Sequence, residues 1–476
     1  MYTVTRRSHQ KILLAVVATV GITSTLRAQP CFTSSAITGT QPTLTFSTTA
    51  IAFDAARGQA VTLGRAPSNG SQPATWIFDG SGWTARTQAD GPSSRQYAAL
   101  AYDAHRRVVV LFGGRAGAMD LTDTWEWDGT FWRSITPVGP VPPARAGARM
   151  AYDSVRRSSV LVGGFPFNET PSNYFGDTWG WDGTRWTLLA DEAHGPGRRG
   201  DCGLAFDEVR GVLVLFGGYL SGTGSLGDTW EWNGSAWARR SAGGANNPWP
   251  SFTTGAYYDA SRERVVLVSN SGVWDWNGAA WSSRGFSING GYTPAAYDAI
   301  RRQGIYVSSN GTGRLTFAVP AFTGQPRTRF VRRGETVVLE DTIVNPANVT
   351  LAWRRNRSAL VDSPRISGVS TARLTIADVR AEDAGLYTLS ATNTCGTSFG
   401  APISVFIQCP ADFDDGSGSG TPDGGVTIDD FLYYLVSYAN GEPTADLDNG
   451  TSTGTPDGGV TIDDLLYYLF RFEAGC

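Results

Sequence analysis

One phrase returns six times along this chain: AFDAARGQAVTLG from Ala52, AYDAHRRVVVLFGG from Ala101, AYDSVRRSSVLVGG from Ala151, AFDEVRGVLVLFGG from Ala205, YYDASRERVVLV from Tyr257 and AYDAIRRQGIYV from Ala296. Its aspartates, Asp54, Asp103, Asp153, Asp207, Asp259 and Asp298, stand 49, 50, 54, 52 and 39 residues apart. A period near 50 restricts the fold to arrays in which each unit buries its apolar face against a neighbour. Glycine and tryptophan marks at fixed offsets narrow this to short strands joined by tight turns, and a closed array of such units is a β-propeller.

Each unit reads as four strands. The first ends at the aspartate, and an arginine follows three residues later in all copies: Arg57, Arg106, Arg156, Arg210, Arg262 and Arg301. Aspartate opening a turn and arginine closing it suits a structural ion pair. The second strand, such as Val108 to Phe112, is a continuous apolar run, as expected where both faces are covered, and it closes on a glycine pair such as Gly113 and Gly114. DTWEWDGTFW, from Asp123 to Trp132, supplies the third strand, a hairpin of the Asp-Gly kind and the start of the fourth strand. Near copies begin at Thr75, Asp177, Asp228 and Val273, so the tryptophans are expected to fill gaps between units rather than hold a ligand.

The stretch from Gly113 to Asp153 carries a double glycine, a Trp preceded by polar residues, a second Trp after a turn and a PxxR approach to the next unit. In these marks the chain resembles the Kelch family, whose propellers include the central domain of galactose-oxidase-like proteins. The resemblance implies an all-β fold with a six-bladed propeller over residues 40–322, closed by Thr43 to Ala50 as a strand of the last blade. Arg95, Arg145 and Arg199 each stand six residues before the Ala of the repeated phrase. Lining one mouth of the channel, they would form a cationic patch for carboxylates, sulfates or acidic peptides; the alternative is that each pins a loop.

Residues 1–28 hold Arg6, Arg7 and Lys11, an apolar run from Ile12 to Ile22 and a cleavage point after Ala28, the order of a secretory signal peptide. The run is too short for a membrane span, and no later segment is suited to one. Five cysteines in a secreted chain leave at least one without an intramolecular partner. Cys409 and Cys476 bracket the last segment and are expected to bridge its ends, whereas the partners of Cys31, Cys202 and Cys395 cannot be read.

Beyond Pro326 the pattern changes. Residues from Gly334, Leu351, Ala372 and Glu382 resemble an immunoglobulin-like domain over 323–408, with Trp353 as the buried tryptophan and Tyr387 as the tyrosine corner. The usual bridging cysteines are replaced, Asp341 being counted at one position and Leu389 at the other. A spacer or adhesive role without chemistry is expected.

Residues 410–476 hold 13 acids against one arginine, a net charge of −12, whereas residues 29–409 come to +4. Within this acidic end, ADFDDGSGSGTPDGGVTIDDFLYYL from Ala411 returns 34 residues later from Ala445. Aspartates before a Gly-rich bend and an Asp pair opening an apolar helix fit an oxygen cage for calcium. The ligands expected are Asp412, Asp414, Asp423 and Asp430, then Asp446, Asp448, Asp457 and Asp464. The segment resembles the dockerin family, in the version that starts with Cys-Pro and ends with Gly-Cys, although eight residues separate Asp414 from Asp423 where a standard loop has one. The resemblance implies a small α-helical, EF-hand-like module at 409–476 that docks to a cohesin-like or surface partner in the presence of calcium. Tyr433, Tyr434, Tyr467 and Tyr468 are expected at the partner surface.

Nothing in the charge distribution points to nucleic acid. Beyond the signal segment only His105 and His194 remain, no Tyr-His step of the copper radical oxidases occurs, and no GxSxG nucleophile turn is present. The sequence therefore reads as a secreted multidomain binding protein for an extracellular protein or glycan. The alternative is a carbohydrate-active enzyme, sialidase-like or otherwise glycan-processing, with its site at the propeller mouth.

Overall fold

The computed structural model describes residues 31–42, 50–67, 72–251, 255–269, 272–285, 293–308, 311–344, 346, 348–408, 411–414, 416–420, 426–452, 454 and 456–474. The signal segment, Cys409, Asp423 and Cys476 lie outside them, and with them the bridge expected between Cys409 and Cys476.

Six antiparallel sheets of four strands each follow the repeat. The first comprises Ile51–Asp54, Gln59–Arg65, Pro73–Phe78 and Trp83–Arg86; the second Ala99–Asp103, Val108–Ala116, Met119–Trp127 and Trp132–Ile135. The third, fourth and fifth begin at Arg149, Gly203 and Gly255 and keep the same order. The sixth takes Ala295–Asp298, Gln303–Ser308 and Gly311–Phe317 from its own repeat and Phe32–Ala36 from the start of the chain. That last strand corrects the expectation for Thr43 to Ala50, of which residues 43–49 lie outside the described residues. Gly311–Phe317, without a tryptophan pair, is nonetheless the third strand.

All six Asp-x-x-Arg pairs form, with N···O distances of 2.6–2.9 Å. The residue after each arginine is left-handed: Gly58, Arg107, Arg157, Gly211, Glu263 and Arg302, with φ between 52° and 66°. The Asp-Gly hairpin is a four-residue loop rather than a two-residue one, since Trp127 pairs with Trp132. The Asp128 carboxylate accepts from the Thr130 and Phe131 amides, which fixes the turn through its side chain. Gly129, at φ +97°, lies so close to the Arg57 guanidinium that a Cβ would overlap it. The same seat recurs from sheet to sheet, Arg106 on Gly183, Arg156 on Gly234 and Arg210 on Gly278, and Arg301 of the sixth sheet sits on Gly80 of the first.

Between the sheets lie apolar layers. Val61, Leu63 and Ile77 of the first sheet meet Leu100, Val109, Leu111, Trp127 and Trp132 of the second, with Trp125 beside them. A tryptophan on the fourth strand then donates Nε1–H to a threonine on the third strand of the preceding sheet. The bonds are Trp132 to Thr75, Trp186 to Thr124, Trp237 to Thr178 and Trp281 to Thr229, at 2.8–3.0 Å. Trp83 of the first sheet donates in the same way to Thr312 of the sixth, at 3.0 Å. These bonds satisfy polar atoms that the apolar layers would otherwise strand, each contributing on the order of 1 kcal/mol.

Residues 321–408 form a short two-stranded sheet, Ala321–Phe322 with Ile343–Val344, and two packed sheets. One orders Arg327–Arg332, Ile403–Gln408, Gly385–Asn393, Thr350–Arg355 and Ser358–Ala359; the other orders Val337–Glu340, Arg373–Ile376 and Ile366–Ser367. Trp353, Tyr387, Leu339 and Leu389 fill the core between them. Leu339, inward on its strand, therefore takes the place expected for Asp341, whose position two residues on is past the end of that strand. The Tyr387 hydroxyl donates to the Asp383 carbonyl at 2.7 Å, as a tyrosine corner requires.

This domain is fastened to the sheets before it. Cys31 is disulfide-bonded to Cys395, Arg354 pairs with Glu263 at 2.8 Å and the Phe399 amide donates to the Ser261 carbonyl. Helices α1 (Ile428–Ala439) and α2 (Ile462–Ala474) make the last module. Among the described residues no helix is long and apolar enough to cross a membrane.

Candidate functional site

Arg95, Arg145 and Arg199 are buried, at 7%, 1% and 3% exposure. Each grips one aspartate through both terminal nitrogens: Arg95 with Asp123, Arg145 with Asp177 and Arg199 with Asp228. Each also donates to the first carbonyl of a glycine pair, at Gly113, Gly163 or Gly217. The same aspartates accept Nε1–H from Trp125, Trp179 and Trp230. Burial raises the carboxyls of Asp123 and Asp228, but the bidentate arginines and indole donors outweigh it and hold both below the usual range. The expected cationic patch is not presented to solvent, and the geometry matches the alternative that each arginine pins a loop. In the fifth sheet Ser251 takes the arginine's place and keeps both backbone links: its carbonyl accepts from Gly218, as the Arg145 carbonyl does from Gly114, and its amide donates to Leu226, as the Arg145 amide does to Leu121.

Two residues beyond each arginine the backbone turns left-handed, at Tyr97 (φ +57°), Gly147 (φ +67°) and Asp201 (φ +54°). The Gly147 amide donates to Tyr97 and the Asp201 amide to Gly147, so the three lead-in segments are strung together. Non-glycine residues in this conformation concentrate at functional sites. Asp201 is buried and paired with Arg149 at 3.1 Å. Burial pushes its carboxyl up to about 6, against the pull of Arg149 and Arg115 and with Glu169 adding repulsion. Sequence reasoning missed this group; its signal was that Tyr, Gly and Asp disagree at one position of otherwise matching copies.

A cavity of about 580 Å³ opens where the fourth strand of the third sheet faces the fourth sheet, lined by Leu188, Leu189, Trp230, Trp237 and His194. His194 Nδ1 lies 2.6 Å from Asp191 Oδ1, and both side chains are exposed. The arrangement offers a hydrogen-bonding imidazole beside apolar surface, with Ser235 also on the cavity wall. His105 sits exposed in its turn.

The acidic module binds its own backbone. Asp430 caps α1 by accepting from Thr427 N while its other oxygen accepts from Phe413 N and Asp414 N. Asp464 repeats this with Thr461, Leu447 and Asp448. The amides of Gly416, Gly418 and Gly420 converge on Asp414, and against burial they lower its carboxyl below the usual range. Asp446 accepts from Asp457 N and Gly458 N. Asp412, Asp414, Asp446 and Asp448 are buried, and their all-oxygen donor set is of the kind a hard divalent cation takes. Among the described residues no group of three or more metal-ligating side chains is gathered in one place.

The helix surfaces differ from expectation. Tyr434 and Tyr468 stack at 3.8 Å in the module's core, and each hydroxyl donates to the other copy's loop, at Ala445 and Ala411. Tyr467 is buried too, and Tyr433 is half-buried. Tyrosine has an apolar body that suits a core and one hydroxyl that reaches a carbonyl, so these rings tie the two copies together. Ile428, Leu432 and Val436 on α1 and Ile462, Leu466 and Phe470 on α2 are exposed instead, at 53–63%. They stand four residues apart, so each set forms one apolar stripe.

Against known families, residues 320–401 match the immunoglobulin I-set domain model. The chain thus contains an immunoglobulin-like domain, on strands 321–408. Solved structures similar to it include the titin M4 domain (20% identity over 19% of this chain and 96% of that one, TM-score 0.18) and the titin M3 domain (28%, 18% and 96%, TM-score 0.16). The N-terminal Ig1-2 module of Drosophila receptor protein tyrosine phosphatase DLAR is similar at 24% identity, over 22% of this chain and 61% of that one, TM-score 0.18. No curated protein matches the sequence.

Proposed function

We propose that this chain is a secreted binding protein in which a six-bladed Kelch-type propeller and an immunoglobulin-like domain form a rigid body, and a dockerin-like tail attaches it to an extracellular partner. The observation that carries this reading is the pair of matched apolar stripes on α1 and α2, exposed on a module whose core takes Tyr434, Tyr467 and Tyr468 inward. Large apolar patches left exposed beside polar surroundings mark interaction sites. Support for the propeller comes from the repeated arginine seats and Trp–Thr bonds, which also join the first sheet to the sixth. Arg95, Arg145 and Arg199 are engaged internally and are left out of the proposed binding surface.

Calcium is part of the proposal. Asp412 and Asp414 in one loop and Asp446, Asp448 and Asp457 in the other would hold it, with Asp423 in the segment outside the described residues. Bound calcium supplies positive charge that lets neighbouring carboxylates stay together. Asp430 and Asp464, each already accepting at least three hydrogen bonds, would act mainly by fixing the loops to the helices. Titrating the full chain with calcium is expected to give a saturable heat and a gain in helical circular dichroism, both weakened at least tenfold in Asp412→Asn with Asp446→Asn. A chain whose heat, helicity and melting do not respond to millimolar calcium would remove the metal from this reading.

A further inference from the structure

The outward face of the larger immunoglobulin sheet is used at one end and bare at the other. Arg354, on the strand Thr350–Arg355, reaches from it to Glu263 of the fifth sheet, and Phe399 bonds to Ser261 beside that contact. Along the same sheet, Phe330 and Phe406 are aligned across two strands with rings stacked at 5.5 Å, yet they are 65% and 53% exposed. Leu386, on the next strand, continues the patch at 49%. The strand Arg327–Arg332 is the sheet's edge. Arg329, Arg332 and Arg333 are exposed there and form no ion pair among the described residues. Residues 323–408 hold ten arginines against seven acids, a net of +3.

The tail is the complement of this surface on both counts. It carries a net charge of −12, and Leu432, Val436, Leu466 and Phe470 are among its exposed apolar groups. We infer that the Phe330–Phe406 face of one copy receives the acidic tail of a second copy. The occupant follows from charge complementarity and from continuity, since the opposite end of the same face is already an interface. Two different surfaces are used, so the contact is heterologous: each copy keeps a free face and a free tail, and assembly runs head to tail into open chains. Opposite charge steers the encounter and makes it salt-sensitive, while the apolar groups supply the affinity.

The inference rests on reading the tail as a docking module, and it is tested with the full chain in calcium-containing buffer. Sedimentation across roughly 1–100 µM protein, the range of micromolar association, is expected to show mass rising with concentration at low salt and falling at least tenfold in apparent affinity at high salt. Two variants sharpen it: Phe330→Ser with Phe406→Ser on the face, and Leu432→Ser with Leu466→Ser on the tail, all at exposed positions. Each alone is expected to be monomeric, and a mixture of the two is expected to form a dimer that grows no further, because one partner supplies the only intact tail and the other the only intact face. A wild-type chain that stays monomeric, association that survives in either variant, or a mixture that fails to pair overturns the inference. A monomer whose tail amides exchange faster once the face is mutated overturns it in favour of a tail folded back on its own copy. If the calcium response is intact while the chain stays monomeric, the docking-module reading stands and only the partner named here falls.

Discussion

Both the sheets and the tail are built by repetition, but they treat polar groups and apolar surface in opposite ways. In the second, third and fourth sheets the lead-in arginine, its aspartate and the fourth-strand tryptophan are consumed inside: arginine by aspartate and glycine carbonyl, aspartate by a second tryptophan, fourth-strand tryptophan by threonine. The indole N–H groups of Trp127 and Trp232 are buried without a partner among the described residues. In the tail the polar groups are also consumed, by backbone amides, yet the apolar stripes are left out. A repeated motif is therefore not evidence of a site. What distinguishes architecture from recognition is whether the repeat leaves apolar surface exposed to solvent.

The largest test of this contrast is Arg145→Ala. Its removal leaves the half-buried Asp177 carboxylate with only the Trp179 indole and the buried Gly163 carbonyl without its side-chain donor, and a loss of about 3 kcal/mol is expected in calorimetric unfolding. A loss near zero would show that these clamps are dispensable and reopen a ligand role for the arginine. Asp201 gives the next effect. Its carboxyl is raised to about 6 in the folded chain from an ordinary 3.8, so the folded state holds the proton more tightly than the unfolded one. Stability from this group is full below about pH 3.8 and is lost as pH rises through about 6; a shift of about two units corresponds to at most about 3 kcal/mol. Asp201→Asn is accordingly expected to melt above the wild type at pH 8 and close to it at pH 4, and a variant that is less stable at pH 8 would mean the Arg149 pair outweighs burial. The smallest effect belongs to the tail. Leu432→Ser is expected to change stability by no more than about 0.5 kcal/mol, and a large drop in melting temperature would place that side chain in a core.

Much of the sheet architecture was legible because its rules are local. Asp and Arg three residues apart settle their turn by proximity, and Trp353 with Tyr387 marks the immunoglobulin core by spacing. The partners of Arg95, Arg145 and Arg199 were not legible, since Asp123, Asp177 and Asp228 stand 28, 32 and 29 residues away and meet them only through sheet pairing. The tail tyrosines misled because an apolar helix with two kinds of apolar residue does not say which kind faces inward; that is decided by hydroxyls reaching the carbonyls of Ala445 and Ala411 across the duplication. The last sheet's outer strand misled for a different reason. Thr43 to Ala50 is the more apolar stretch, but Phe32–Ala36 runs alongside Gly311–Phe317 and is anchored by its neighbour Cys31.

That anchor has a further effect. Because Cys31 and Cys395 are 364 residues apart in sequence and covalently joined, all six sheets and most of the immunoglobulin domain lie within a single macrocycle. One cut by a protease anywhere inside it leaves both fragments attached, with the strands on either side still paired. Such nicks would be invisible on a gel until a reductant is added, and the molecule would shed a piece only after a second cut or loss of that bond.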